Sequence, residues 1–226
     1  MNVLILTPIP NTPYVTLAND ANLTPTALRE GTILLEKQIA ELPEVKALGP
    51  EDFVLDVGAF IGDTALIFGL GGAEVWAFEP QRDAYLAAII NTHLNRNKIQ
   101  VFPWAIGNFE QVETNQNPIA GNLGTRTVSP SDSGLRTKRL DTLLYPKPVT
   151  FLKIDVEGFE PAVLRGAMGL LTSYKPTVLV EIYPELLARN GWTVEDVMKP
   201  LVEAGYTDIR EAIGNSTEVR WDILAK

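Results

Sequence analysis

Short apolar runs separated by helical patterns recur along this chain. The runs cover residues 53–56, 74–79, 99–103, 150–155 and 177–182, and three of them end on an acid, at Asp56, Glu79 and Asp155. Residues 82–95 and 194–204 have the apolar spacing of amphipathic helices. Two further runs, 206–212 and 218–225, alternate well enough to predict an antiparallel pair. Together these patterns predict an α/β fold: a seven-stranded, mostly parallel, Rossmann-like sheet with helices on both faces and right-handed crossovers.

The first fifty residues have a less regular pattern. Residues 3–6 predict a short strand, and residues 26–48 predict a helix that Pro43 ends or kinks. The apolar positions of that helix are Leu28, Ile33, Leu34, Ile39 and Leu42. We interpret residues 1–50 as an N-terminal extension and residues 51–226 as the main domain. The extension either covers the mouth of the ligand site on its substrate side or only caps the sheet.

The segment between the third and fourth strands is polar. Asn, Gln, Ser, Thr and Gly dominate residues 109–137, which predict a loop with a small hairpin around residues 125–128, near the substrate rim. The helix before it, at residues 82–95, has an apolar side formed by Tyr85, Leu86, Ile89, Ile90 and Leu94. His93, the only histidine, lies in its last turn, where a cation suits the helix dipole. We therefore predict a surface or capping role for His93.

The most informative stretch runs from Phe53 to Pro80. Asp56 ends the first apolar run, Gly58 and Gly62 flank a turn, and Glu79 ends the next run. Ligands of open parallel sheets bind at the carboxyl ends of the strands, and glycine lets the backbone approach such a ligand closely. Glu79 is placed to accept hydrogen bonds from ribose hydroxyls. This pattern predicts a nucleoside-binding site.

The glycine spacing indicates which nucleoside binds. A dinucleotide fingerprint that starts at Gly58 needs glycines in place of Phe60 and Asp63, so the pattern disfavours a dinucleotide. The chain instead has D-x-G-x-x-x-G from Asp56 to Gly62. The first acid would repel a pyrophosphate but can hydrogen-bond a cationic amino-acid tail, and S-adenosylmethionine has such a tail and no phosphate. The stretch resembles motif I and the acidic loop of the seven-stranded S-adenosylmethionine-dependent methyltransferases.

In that architecture the segment after the third strand lies against the adenine. Trp104, Ala105 and Ile106 occupy this segment, although core packing at a strand end is an equal explanation for Trp104. The resemblance implies a donor site formed by Asp56, Gly58, Ala59, Phe60, Gly62, Asp63, Thr64, Glu79, Pro80, Trp104 and Ala105.

A second group of motifs narrows the family. The chain contains "FVLDVGAFIGDT", "AFEP", "WAIGN", "RLDTLL", "LKIDVEGFEPAVLRGA" and "PTVLVEIYPE", in that order. This ordered set resembles the FkbM methyltransferases, whose hallmark is a K-I-D-V-E-G segment, over roughly residues 51–185. Phe60 departs from the asparagine common at that position in the family, which we expect to alter only the packing of the turn. Residues 1–50 match none of these motifs, so the sequence does not identify the substrate.

The chemistry of transfer points to carboxylates at the strand tips. A neutral hydroxyl is a poor nucleophile and needs a base or a metal ion to remove its proton. Asp155, Glu157 and Glu181 are the candidate catalytic residues, with Asp155 as the first choice for general base. Alternatively, Asp155 and Glu181 hold a divalent ion such as Mg²⁺. Structural roles are also open: Glu157 could cap the following helix, and Lys153 could pair with a buried carboxylate.

Composition limits the classes of partner. The net charge of −9 argues against nucleic acid, and no apolar run approaches the roughly 20 residues of a membrane span. The chain has no cysteine and begins without a basic, signal-like segment, which favours a cytoplasmic protein. The family resemblance implies an O-methyltransferase that acts on a hydroxyl of a sugar, glycolipid or polyketide-like natural product. A non-catalytic nucleoside-binding or scaffold domain is the alternative.

Overall fold

A computed structural model of the protein describes residues 6–8, 14–21, 23–31, 37–95, 98–114, 123, 126–131, 134–214 and 219–226. The strands are β1 (Leu6–Pro8), β2 (Val15–Leu17), β3 (Phe53–Val57), β4 (Glu74–Phe78), β5 (Ile99–Phe102), β6 (Ala105–Ile106), β7 (Gln111–Thr114), β8 (Val128–Pro130), β9 (Leu135–Lys138), β10 (Phe151–Ile154), β11 (Thr177–Ile182), β12 (Ile209–Ile213) and β13 (Trp221–Ala225). The helices are α1 (Leu23–Glu30), α2 (Lys37–Glu41), α3 (Pro43–Lys46), α4 (Asp63–Gly69), α5 (Arg82–Leu94), α6 (Glu160–Arg165), α7 (Met168–Tyr174), α8 (Pro184–Arg189) and α9 (Val194–Glu203).

Seven strands form the central sheet, in the order β12-β13-β11-β10-β3-β4-β5. The five strands from β11 to β5 are parallel, and β13 is antiparallel to both of its neighbours. The predicted α/β fold and seven-stranded sheet are therefore confirmed. From β3 the chain adds β4 and β5 on one side and later returns to place β10 on the other. The carboxyl ends of β3 and β10 thus form the switch point at which such sheets bind ligands.

Alternation along β3 explains why helices cover both faces. Phe53, Leu55 and Val57 belong to a core that also contains side chains of α6, α7 and α9. Val54, from the opposite face, belongs to a second core with side chains of α2, α3 and α4. All five residues of β3 are buried, as expected for a central parallel strand. Among the described residues, no helix is long and apolar enough to cross a membrane.

The helical pattern at residues 26–48 does not form one helix. Leu42 is extended (φ −60°, ψ 131°), and Pro43 begins α3 instead of merely ending the helix before it. Proline suits this first helical position, where the chain needs no N–H donor. Ile33 and Leu34 lie outside the described residues. Of the strand predicted at residues 3–6, only Leu6 is described, and it begins β1.

The apolar side identified in the sequence of α5 is not the side that the helix buries. The buried residues are Ala84, Ala87, Ala88, Asn91 and Thr92, whereas the large apolar residues lie at the edges or face outward, with Leu94 46% exposed. Small side chains are required because α5 packs closely against the turn after β3: a Cβ on Gly62 would lie 3.3 Å from the Cβ of Ala88.

Asn91 connects this helix to the N-terminal extension. Its amide accepts a hydrogen bond from the backbone N–H of Val15 and donates to the carbonyl of Ile61. The exposed position of His93 agrees with a surface role.

The polar segment at residues 109–137 forms part of a small second sheet, in the order β6-β9-β7-β8. β7 pairs with both β8 and β9, in antiparallel fashion. The hairpin predicted around residues 125–128 is therefore replaced by a pairing between distant segments, which local sequence patterns cannot reveal. Thr125 lies outside the described residues.

Candidate active site

A pocket lies at the switch point, over the carboxyl ends of β3, β4 and β10. Ten of the sequence-predicted site residues line it, namely Gly58, Phe60, Asp63, Thr64, Glu79, Pro80, Trp104, Ala105, Asp155 and Glu157. Four others, Asp56, Ala59, Gly62 and Glu181, lie outside that lining. Leu23 and Val128 also line the pocket, so the N-terminal extension and the second sheet both reach it.

The turn after β3 requires glycine at Gly58. Its φ is +86°, and a Cβ there would lie 1.7 Å from the carbonyl oxygen of Asp155. The backbone N–H groups of Gly58 and Ala59 both donate to the carbonyl of Phe78, at 3.0 and 3.1 Å. The turn is thereby held between the ends of β4 and β10, with its backbone exposed to the pocket. Phe60, the departure from the family pattern, has a positive φ of 45° within this turn.

Glu79 organises the same turn from the end of β4. One carboxylate oxygen accepts a hydrogen bond from the N–H of Phe60 at 3.0 Å, and the other accepts from the N–H of Gln81 at 2.7 Å. Burial raises the pKa of Glu79 to about 7, although these hydrogen bonds and the charge of Arg126 act in the opposite direction. Glu79 therefore connects the glycine turn to the segment that begins α5.

Lys153 lies at the centre of the site. Its ammonium group is 3.4 Å from Asp56 Oδ1 and 3.2 Å from Asp155 Oδ2, and it donates to the carbonyl of Gly58 at 3.1 Å. Burial alone would lower the pKa of Lys153, but Asp155 and Asp56 more than offset burial and raise it. Asp56 also accepts a hydrogen bond from the Thr64 hydroxyl at 2.7 Å. The predicted pairing of Lys153 with a buried carboxylate is present. Its partner is Asp56, which does not line the pocket.

Three carboxylates meet beside Lys153. Oxygens of Asp155, Glu157 and Glu181 lie within 4.8 Å of one another. They converge because β10 and β11 are adjacent and parallel, so residues at their carboxyl ends share one edge of the sheet. Burial and then repulsion by Asp155 raise the pKa of both Glu157 and Glu181. Arg220 donates to Glu181 Oε1 at 3.0 Å.

Glu157 does not cap the following helix. Glu160 accepts hydrogen bonds from the N–H groups of Val156 and Gly158, both at 3.1 Å, and Phe159 is the residue that precedes α6. Glu157 itself has a φ of +56° and lines the pocket. The alternative of a helix-capping Glu157 is therefore wrong.

Trp104 extends the aromatic wall of the pocket. Its ring stacks on Phe102, with ring centroids 4.7 Å apart and planes 23° apart, and lies 6.3 Å from Phe78. The ring packs on the core and also lines the pocket, so the core-packing explanation holds and the adenine contact stays a prediction.

Two arginines in the pocket lining were missed by sequence reasoning. Arg126, with a side chain 5% exposed, forms two hydrogen bonds with Asp83, at 2.9 and 3.0 Å. Arg220 reaches the pocket from the segment before β13. The one usable signal was for Arg126, which is the only charged residue between Glu113 and Asp132.

Comparison with known families agrees with this geometry. The model of the methyltransferase FkbM domain matches residues 56–207, which is more than half of the chain. This chain belongs to the FkbM methyltransferase family. The match includes the last two residues of β3, the glycine turn, Glu79 and the three clustered carboxylates. A comparison with curated protein sequences gives no match.

Solved methyltransferase structures share the fold of this FkbM protein. Methyltransferase FkbM from Methylobacillus flagellatus KT is 17% identical, with a TM-score of 0.57, over 82% of this chain and 48% of that one. This chain thus spans about half the length of the Methylobacillus protein. The magnesium protoporphyrin IX methyltransferase of Synechocystis PCC 6803, solved with bound SAM, is 12% identical, with a TM-score of 0.52, over 84% and 76% of the chains. The precorrin-6y C5,15-methyltransferase of Geobacter metallireducens GS-15 is 11% identical, with a TM-score of 0.52, over 84% and 87%.

Proposed function

We propose that this FkbM methyltransferase transfers the methyl group of S-adenosylmethionine to a hydroxyl of a small molecule. The products are a methyl ether and S-adenosylhomocysteine. We infer a sugar, glycolipid or polyketide-like natural product as the acceptor class, in line with the family resemblance. The observation that carries the proposal is the pocket itself, which joins the glycine turn and Glu79 to Asp155 and Glu157 at the switch point.

The donor is assigned to the side of the pocket formed by β3 and β4. Backbone of the Gly58 turn can approach the donor closely, and Trp104 offers an apolar ring to the adenine. Glu79 has both oxygens engaged by backbone N–H groups, so any ribose contact adds to those two hydrogen bonds. Asp63 lines the pocket whereas Asp56 does not, and we therefore assign the amino-acid tail of the donor to Asp63.

The acceptor is assigned to the side formed by β10. Its oxygen attacks the methyl carbon as the carbon–sulfur bond breaks, and the hydroxyl proton leaves to a carboxylate. Asp155 is the first candidate to take that proton, because it lines the pocket at the tip of β10. The ammonium of Lys153, 3.2 Å away, fixes the position of this carboxylate relative to the donor turn.

Calorimetry with purified protein tests the donor. S-adenosylmethionine and S-adenosylhomocysteine should bind, and NAD should not. Replacement of Glu79 by Ala removes both backbone contacts and should weaken donor binding about ten- to a hundredfold. Binding of NAD together with failure to bind either sulfur compound would refute the proposed donor.

Transfer is tested with Asp155→Asn, which keeps the shape of the side chain and removes its charge. We expect donor affinity to change little and turnover on a panel of hydroxylated acceptors to fall about 10²- to 10⁴-fold. A folded, donor-binding variant that turns over at the parent rate would remove Asp155 from the mechanism. A parent protein that binds donor and methylates no hydroxylated acceptor would favour the non-catalytic alternative.

A further inference from the structure

Asp155, Glu157 and Glu181 bring three carboxylates together at a site with little access to solvent. Glu157 and Glu181 are 8% and 7% exposed, the side chain of Asp155 is 32% exposed, and oxygens of all three side chains lie within 4.8 Å of one another. Such carboxylates repel one another strongly when water is excluded, and buried charges are normally paired or bound to a metal ion. The cluster therefore calls for a positive partner.

The nearby cations meet this demand only in part. Arg220 contacts one oxygen of Glu181, and Lys153 contacts one oxygen of Asp155 while it also serves Asp56. Oε2 of Glu157 and Oε2 of Glu181 are buried, and neither has a hydrogen-bond partner in the described part of the chain. Buried polar atoms are rarely left in this state. Two buried acceptors without a donor in one carboxylate cluster favour a cation as its ligand.

We propose that Asp155, Glu157 and Glu181 bind a divalent cation at the edge of the methyl-transfer pocket. All three offer only oxygen, which matches the preference of Mg²⁺ and Mn²⁺. Thiolate ligands are excluded because the chain has no cysteine, and the only histidine lies on α5. The inference rests on the proposed function and refines it, since Asp155 and Glu157 both line the pocket assigned to the hydroxylated acceptor. With the ion bound, Asp155 would serve as a metal ligand, and the ion would take over the role of activating the hydroxyl.

Such an ion would leave coordination positions open toward the acceptor. Mg²⁺ takes six oxygen ligands and usually keeps several waters beside one or two protein carboxylates. Three protein ligands leave positions that acceptor oxygens can occupy in place of water. The site therefore favours acceptors that carry an oxygen-rich group next to the hydroxyl to be methylated.

A shared proton is the competing explanation. If Glu157 and Glu181 held one proton between them, repulsion would be relieved without any ion. The two explanations differ in a direct measurement, because only the first gives saturable binding of a metal ion in the absence of donor and acceptor.

Purified protein freed of metal with EDTA is titrated with MgCl₂ and with MnCl₂, and Mn²⁺ binding is followed by electron paramagnetic resonance. We expect saturable binding of one Mn²⁺ and competition by Mg²⁺. Glu157→Gln and Glu181→Gln should each weaken Mn²⁺ at least about tenfold, since even outer-shell changes cost ten- to a hundredfold. Glu51→Gln is the matched control: it loses the same charge from an exposed position before β3, at the opposite end of the sheet, and should bind Mn²⁺ like the parent.

Lack of saturable Mn²⁺ binding by the parent protein would overturn the inference, and this result does not depend on whether any variant folds. Unchanged Mn²⁺ affinity in both folded glutamine variants would also overturn it. Binding of S-adenosylhomocysteine is measured in the same samples. If S-adenosylhomocysteine binds and Mn²⁺ does not, the cation site fails alone and the proposed function stands. If Mn²⁺ binds and S-adenosylhomocysteine does not, the proposed donor fails instead.

Discussion

Lys153 donates a hydrogen bond to the carbonyl oxygen of Gly58 across 3.1 Å. This contact connects the strand that ends at the acceptor carboxylate with the turn assigned to the methyl donor. The same ammonium group lies between Asp56 and Asp155, so one buried cation fixes three elements of the site. Positions that are over-determined in this way hold reacting groups in a constant geometry.

Lys153→Met should therefore lower the free energy of unfolding substantially. It leaves Asp56, which is fully buried, without its cation, and loss of one partner of a buried pair costs about 3–5 kcal/mol. Urea unfolding followed by circular dichroism measures the change. Lys199→Met is the control, because the 3.9 Å pair of Lys199 with Glu203 is exposed and should contribute less than about 1 kcal/mol. Similar losses in the two variants would contradict the central role of Lys153.

A second prediction compares two glycines that both have positive φ. Gly191 (φ +74°) has no atom within 4 Å of an added Cβ, so Gly191→Ala should cost only the backbone strain, about 1–2 kcal/mol. Gly58→Ala adds the contact with the Asp155 carbonyl at 1.7 Å and should cost at least about 2 kcal/mol more. Thermal unfolding of both variants isolates the steric part. Equal costs would show that the turn can move away from β10.

Features that depend on neighbouring residues could be predicted from the sequence, and features that depend on packing between distant segments could not. Short apolar runs located the parallel strands, and the topology then placed Asp155 and Glu181 on one edge although 26 positions separate them. The buried side of α5 could not be derived in the same way. Its large apolar residues predicted one face, but close packing against Gly62 selected the alanines.

Contacts between distant segments explain the remaining gaps. Arg126 meets Asp83 across 43 positions, and Arg220 meets Glu181 across 39. Neither pair leaves a periodic pattern, because each arises where the chain returns to the sheet from a loop. The assignment of the donor tail changed for a similar reason. Lys153 and Thr64 engage Asp56 from two other elements, which leaves Asp63 in the pocket lining.

The pair of Arg126 and Asp83 gives a third prediction. Arg126 forms two hydrogen bonds with Asp83, and its side chain is only 5% exposed. These observations indicate a strong interaction between α5 and the segment that precedes β8. A double-mutant cycle with Arg126→Met and Asp83→Asn should give a coupling of about 1–3 kcal/mol in the free energy of unfolding. The exposed pair of Arg189 and Glu185, at 2.9 Å, is the matched cycle and should give at most about 0.5 kcal/mol. Equal coupling energies would refute the prediction.

The fourth prediction concerns Glu160 and the pH dependence of stability. Burial raises the pKa of Glu160 to about 7, from an ordinary value of 4.5 in the unfolded chain. Between these values the folded protein binds more protons than the unfolded one, so stability falls as pH rises through this window. The contribution of Glu160 to the free energy of unfolding is fully present below pH 4.5 and is lost above pH 7. A shift of this size corresponds to about 3 kcal/mol for one group.

Glu160→Gln should remove that part of the slope. Glutamine keeps the side-chain oxygen that accepts from Val156 and Gly158, and it cannot ionise. The free energy of unfolding, measured by urea titration from pH 5 to pH 8, should fall less steeply in the variant than in the parent. Glu51→Gln, at an exposed position, should keep the parental slope. A parental slope in Glu160→Gln would mean that Glu160 is ionised in the folded protein throughout this range, and burial would then not control its proton.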